Sequence, residues 1–257
     1  MPMDSRPVVL DAAMGTRLIG QGLDLATDDP CLWSLRRPET VLSVHRDDLK
    51  AGSQMLTSNS FGANSQWLAK FGLASQMKAI NRAAVELARR AFAESGITGK
   101  VIGSIGPWAL SEQSNAQEQV AALLDSGADL ILFETCNLVQ AKLAANWFGH
   151  EIQKPIWISI WNWGDQPEEL AKELEQKNIS NWGMNCISDI AQILDTFKQL
   201  NDHHLSATIL KPSNINPLEL VDLSLQCQSL GGLYFGGCCG TTSDHITGLS
   251  HLFRNPF

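Results

Sequence analysis

Ala128-Asp129-Leu130-Ile131-Leu132-Phe133 is apolar almost throughout, and it runs through Glu134-Thr135-Cys136 into a helix-like stretch at 138–148. A strand with one wet face alternates polar and apolar residues. A strand covered on both faces, as in a parallel sheet flanked by helices, does not. The same unit recurs along the chain, with strand-like runs at 7–10, 54–57, 100–104, 128–133, 155–160, 179–183, 205–210 and 232–235. Helical stretches lie between them. Residues 76–95 carry Met77, Ile80, Ala84, Leu87, Ala88 and Ala91 on one face and meet Gly96 as a stop. Residues 115–125 read the same way, and 188–200 place Ile190, Ile193, Leu194 and Phe197 at helical spacing. The stretch 167–176 opens Pro167-Glu168-Glu169, a favourable first turn. Eight strands alternating with helices predict an α/β protein, a (β/α)8 TIM barrel; an open doubly wound sheet is the alternative. One domain spanning 1–257 is the simplest division, because such barrels run to roughly 200–250 residues.

The chain carries 19 Lys and Arg against 27 Asp and Glu, a net charge of −8, and no basic run, so a nucleic-acid partner is not expected. No apolar stretch approaches the ~20 residues of a membrane span, and residues 1–7 lack the apolar core of a signal peptide. The expectation is a cytoplasmic protein with small-molecule partners and no membrane partner; the sequence leaves the oligomeric state open. Six cysteines in 257 residues are too few for a disulfide scaffold. In a reducing compartment, clustered cysteines point to metal or catalysis.

Two of them are adjacent in Gly236-Gly237-Cys238-Cys239-Gly240-Thr241-Thr242, and a third, Cys186, ends Gly183-Met184-Asn185-Cys186. Both segments follow an expected strand, so the three thiols can converge on one end of a barrel. Three thiolates can hold one zinc and leave its fourth position open, as catalytic zinc requires, and zinc accepts a further sulfur there. Buried free cysteines or a vicinal disulfide are the alternatives. Cys31, Cys136 and Cys227 lack this context.

Asp11 and Glu134 also fall at expected strand ends, the catalytic face of such barrels. Ser58 and Ser60 follow the second strand, and Asn185 precedes Cys186, where it can orient the sulfur or cap a helix. Residues 12–48 are long for a first strand-to-helix connection and are expected to cover part of the barrel mouth. Trp33, Trp108, Trp161 and Trp163 fall near the mouth, where indole faces attract cations. Trp161 and Trp163 alternate and are expected to form one wall. The six histidines have no metal spacing and read as structural or surface residues. No phosphate-binding glycine loop occurs.

Asp11-Ala-Ala-Met-Gly-Thr16, Ala51-Gly-Ser53, Ser58-Asn-Ser-Phe-Gly-Ala-Asn64, Gly103-Ser-Ile-Gly-Pro107, Phe133-Glu-Thr-Cys136, Gly183-Met-Asn-Cys186 and Gly236-Gly-Cys-Cys-Gly-Thr-Thr242 follow one another in an order that resembles the homocysteine S-methyltransferase family. That family includes the betaine and S-methylmethionine enzymes and the homocysteine half of cobalamin-dependent methionine synthase. The resemblance implies a zinc site at Cys186, Cys238 and Cys239. It implies that Asp11 and Glu134 hold the homocysteine amino group and that Ser58 and Ser60 line the substrate pocket. The implied reaction, part of methionine biosynthesis, moves a methyl group from a sulfonium donor, S-methylmethionine or S-adenosylmethionine, to homocysteine. Betaine as donor, another thiol acceptor, or a non-catalytic zinc-binding relative are the alternatives. The chain departs from the family at Ala12, usually Gly, at Leu210-Lys211-Pro212-Ser213-Asn214, usually a Tyr-Pro-Asn start, and at Ser243, often Pro. The stretches 160–173 and 186–238 are abbreviated.

Overall fold

A computed structural model describes residues 6–150, 154–179 and 181–254. Its strands are β1 (Val8–Val9), β2 (Met55–Thr57), β3 (Lys100–Ile105), β4 (Leu130–Cys136), β5 (Ile156–Ile160), β6 (Asn181–Asn185), β7 (Ile209–Lys211) and β8 (Tyr234–Phe235). All pair in parallel, in the order β1-β8-β7-β6-β5-β4-β3-β2. Gln54 nearly closes the remaining seam. Its N donates to Val9 O and its Oε1 accepts from Val9 N, both at 2.8 Å. The result is the expected (β/α)8 barrel.

Helices follow every strand: α1 (Met14–Gly20), α2 (Trp33–Arg36) and α3 (Pro38–Ala51) after β1; α4 (Ser65–Ala69) and α5 (Met77–Ser95) after β2; then α6 (Gln113–Asp125), α7 (Leu138–Phe148), α8 (Pro167–Gln176), α9 (Ile190–Asp202), α10 (Pro217–Ser229) and α11 (Ser243–Arg254). Among the described residues, no helix is long and apolar enough to cross a membrane.

The strands look apolar throughout because they feed two cores. Leu10, Met55, Ile102, Leu130, Leu132, Trp157 and Ile209 fill the barrel interior. Val9, Leu56, Val101, Ile131, Phe133, Ile158 and Leu210 point outward to the helices. Most strands start one to four residues later than expected, and at β6 and β7 the reason is visible. The Ile179 N–H donates to Leu174 O at 3.1 Å and the Leu205 N–H to Leu200 O at 2.9 Å, so both residues finish the preceding helix. Their apolar side chains serve helix ends rather than a ladder.

Side chains alternate along a strand, so the next inward residue after each interior apolar one reaches the barrel mouth. Thr57 follows Met55, Ser104 follows Ile102, Glu134 follows Leu132 and Lys211 follows Ile209. The inward layer thus turns polar at the C-terminal ends of the strands.

Candidate active site

β4 carries an irregularity where it matters. Phe133 pairs with Ile158 and Cys136 with Ile160, so one residue of β4 is extra. A bulge of this kind re-aims side chains. Thr135 takes φ 61°, in the left-handed region that a β-branched residue avoids. Asn185 on β6 holds it there. The Thr135 N–H donates to Asn185 Oδ1 at 2.9 Å, and Asn185 Nδ2 donates to Thr135 Oγ1 at 2.8 Å. α7 begins at once after β4 because Asn137 and Gln140 cap it reciprocally, at 2.9 and 3.0 Å. Glu134 is thereby fixed facing a cavity of about 360 Å³ at the barrel mouth. Its Oε1 accepts the Ser104 hydroxyl. Among the described residues its other oxygen has no hydrogen bond.

Cys186, Cys238 and Cys239 open onto the same cavity. Their sulfurs all lie within 4.8 Å of one another, no disulfide joins them, and Cys186 Sγ is 3.8 Å from Cys239 Sγ. A tetrahedral centre with Zn–S bonds of ~2.3 Å would separate its sulfurs by roughly 3.8 Å, the separation of Cys186 and Cys239, and the third sulfur lies close enough to complete a donor set for a soft metal ion such as zinc. Cys186 reaches this position with φ 61°. Its N–H donates to Lys211 O at 3.1 Å, while the Cys238 N–H donates to Pro212 O at 2.8 Å. Gly237 lets the Cys238-Cys239 segment approach Thr241: a Cβ there would lie 2.2 Å from Thr241 Oγ1. That hydroxyl donates to Cys238 O at 2.7 Å. Asn185 Nδ2 stands 3.9 Å from Cys238 Sγ. Contact with the Cys186 thiol, together with burial, pushes the Cys238 thiol up to about 11. Thiols this close resist ionising together, and a bound dication removes that resistance.

Asp11 is buried, and its carboxylate is already engaged. Oδ2 accepts the Thr57 N–H at 2.5 Å and Oδ1 accepts the Thr57 hydroxyl at 2.8 Å. Lys211 Nζ lies 3.5 Å from Oδ1. Ser58 and Ser60 line the cavity, and their hydroxyls tie β2 to β3. Ser60 Oγ donates to Ser104 O at 2.7 Å, and Ser58 Oγ lies 2.7 Å from Ser60 Oγ and accepts the Ser104 N–H at 3.2 Å.

All eight residues singled out from the sequence come together at one end of the barrel. Residues of the long first connection, among them Met14, Thr16 and Pro30, wall the cavity, in line with their expected place over the mouth. The tryptophans do not behave as expected. The exposed Trp161 and the buried Trp163 lie past the end of β5, so strand alternation no longer governs them. Trp163 packs on Trp182, ring centroids 5.5 Å apart, and none of the four tryptophans lines the cavity. Phe61 does, with Trp108 edge-on behind it at 5.2 Å. Cys31, Cys136 and Cys227 are buried apart from the cluster.

A sequence profile described as homocysteine S-methyltransferase matches residues 8–253, nearly the whole chain. The chain belongs to the homocysteine S-methyltransferase family. The homocysteine S-methyltransferase of Escherichia coli is 28% identical over 302 aligned positions, covering 94% of each chain. The methionine synthase of Mycobacterium tuberculosis is 27% identical over 98% of this chain, which spans 25% of that longer protein. In three dimensions the homocysteine methyltransferase MmuM of Escherichia coli superposes in its metallated form with a TM-score of 0.83 and in its oxidized form with 0.84. Each form is 28% identical, and each match covers 98% of this chain and 97% of MmuM.

Against that family background, Lys211 is the cavity residue the sequence reading missed. It is buried, at 4% exposure, and lines the cavity beside Asp11 and Glu134. Burial opposes its charge, but the carboxylates of Asp11 and Glu134 outweigh burial and hold its pKa above the ordinary lysine value. Thr57, Ser104 and Thr135 were missed too. Parity would have found Thr57, Ser104 and Lys211, each two residues beyond an inward apolar side chain.

Proposed function

We propose that this protein is a zinc-dependent homocysteine S-methyltransferase that forms methionine with a sulfonium, S-methylmethionine or S-adenosylmethionine, as donor. One observation carries the reading: three sulfurs at zinc-ligand spacing share a cavity with a carboxylate that has an oxygen to spare. Zinc, when bound, supplies an open position at which an acceptor thiol loses its proton.

The chain's own residues supply the rest. Cys186, Cys238 and Cys239 form a donor set of matching chemistry, and Asn185 orients Cys238 from behind. Glu134 receives the ammonium group of homocysteine, with Asp11 adding negative charge from the floor. Ser58, Ser60 and Ser104 keep Glu134 and the pocket wall in place. Holding acceptor and donor in line removes much of the entropic barrier. The acceptor sulfur then bonds to the methyl carbon. The bond from that carbon to the donor sulfur breaks, and its electron pair stays on the donor as a neutral thioether. A sulfonium carries its leaving group with it, so no further activation is needed. Three reduced thiols belong in a reducing compartment, which supports a cytoplasmic location.

The test is methionine formation from homocysteine by zinc-loaded protein, with S-methylmethionine, S-adenosylmethionine and betaine offered separately. Turnover with a sulfonium and one zinc per chain is expected. No methionine from either sulfonium, in protein shown to hold one zinc, overturns the reading.

A further inference from the structure

Lys211 has no task in that reaction, yet it is the buried cation of the cavity. It ends β7 on the inward face and crosses the mouth toward β1 and β2. Its Nζ lies 3.5 Å from Asp11 Oδ1 and 3.4 Å from Thr57 Oγ1. Both contacts are longer than the ~2.8 Å of a charge-assisted hydrogen bond. An ammonium group has three donors, so these two long contacts leave one donor without a partner among the described residues and the other two weakly engaged. Asp11 takes its two short hydrogen bonds from Thr57 rather than from Lys211. An under-satisfied desolvated cation is costly unless a ligand takes its free donor.

The cavity therefore presents two open valences of opposite sign. Glu134 offers a carboxylate oxygen, and Lys211 offers ammonium donors. An amino-acid thiol brings one ammonium and one carboxylate. We propose that Lys211 is a specificity-determining residue that binds the carboxylate of the acceptor thiol, so that this site selects a thiol bearing that carboxylate over the same thiol without it. The inference rests on the site being a thiol methyltransferase site. It concerns a position, at the end of strand seven, where this chain departs from the pattern of the family it resembles.

The test compares homocysteine with aminopropanethiol, which lacks the carboxylate, and mercaptobutanoate, which lacks the amine. The zinc-loaded wild-type protein, Lys211→Met and Lys211→Arg are each assayed for KM, kcat, dissociation constant by calorimetry, and metal content. Wild type should bind aminopropanethiol at least about tenfold more weakly than homocysteine. Lys211→Met should raise KM for homocysteine about tenfold or more with a smaller change in kcat, and should erase the preference for homocysteine over aminopropanethiol. Lys211→Arg should restore part of that preference, and metal content should stay at the wild-type level.

Equal binding of homocysteine and aminopropanethiol by wild type overturns the proposal, and that comparison needs no variant to fold. A folded, metal-replete Lys211→Met that keeps the preference overturns it as well; Lys211 then serves only to neutralise Asp11. In both cases homocysteine is still methylated and the functional reading stands. Failure of every thiol to bind or react overturns both.

Discussion

Asn185 Nδ2 donates to Thr135 Oγ1 at 2.8 Å and stands 3.9 Å from Cys238 Sγ. One fully buried amide thus joins the bulge that aims Glu134 to the sulfur cluster across the mouth. The acid and the sulfurs are set by the same side chain.

Replacing that amide should disturb both. Asn185→Ala removes the two hydrogen bonds that hold Thr135 at φ 61° and the contact to Cys238. Lost partners of this kind typically cost about 10- to 100-fold in metal affinity. We expect that loss in a chelator-competition titration, together with a raised KM for homocysteine as Glu134 loses its aim. Unchanged zinc affinity with a raised KM would confine Asn185 to holding the bulge.

Removing a sulfur separates the cluster from the core cysteines. Cys239→Ser should lower zinc stoichiometry and methyl transfer together, whereas Cys227→Ala, at a fully buried site in α10, should leave one zinc per chain and cost only folding stability. Metal analysis and thermal unfolding on the same samples distinguish the two. Full activity in Cys239→Ser would remove that sulfur from the mechanism.

Glu134→Gln keeps a group that can accept the Ser104 hydroxyl and removes the charge. Hydrogen bonds to charged groups contribute about 1.5–3 kcal/mol. KM for homocysteine should therefore rise about 10- to 100-fold, with zinc content unchanged. The deaminated acceptor mercaptobutanoate should be affected far less, because it brings no ammonium. An equal loss for both thiols would mean that Glu134 shapes the pocket rather than pairing with an amine.

The barrel was legible because its strands are apolar on both faces and some helices carry clear ends, as Gly96 after Met77–Ser95 and Pro167 at the start of Pro167–Gln176. The convergence of the cysteines and both acids at the barrel mouth was legible because each lies at or just past the C-terminal end of a strand. Other features were not. The starts of β6 and β7 were misplaced because Ile179 and Leu205 are apolar for the sake of the preceding helix. Ending the seventh strand at residue 210 hid the inward parity of Lys211. The Thr135 bulge depends on Asn185, fifty positions away, which no local pattern reveals. Trp161 and Trp163 were read by strand alternation beyond the last strand residue, Ile160.

The last prediction concerns His45, on the buried face of α3. Both ring nitrogens lack a hydrogen-bond partner among the described residues, and the ring is fully buried. Burial favours the neutral ring. Arg17 adds to that effect and Asp11 opposes it, and the pKa falls from 6.5 to about 4. A histidine whose folded pKa is depressed contributes stability above its unfolded value and loses it as pH falls toward the folded one. The loss should therefore run from about pH 6.5 down to about pH 4 and amount to about 3 kcal/mol. His45→Leu abolishes this titration, so in urea unfolding with chelator present the variant should gain on wild type steadily as pH falls. Chelator matters because protonation of the thiols would otherwise release metal in the same range. A constant difference between variant and wild type across pH 7.5, 6 and 5 would show that His45 ionises in the folded state much as it does in water.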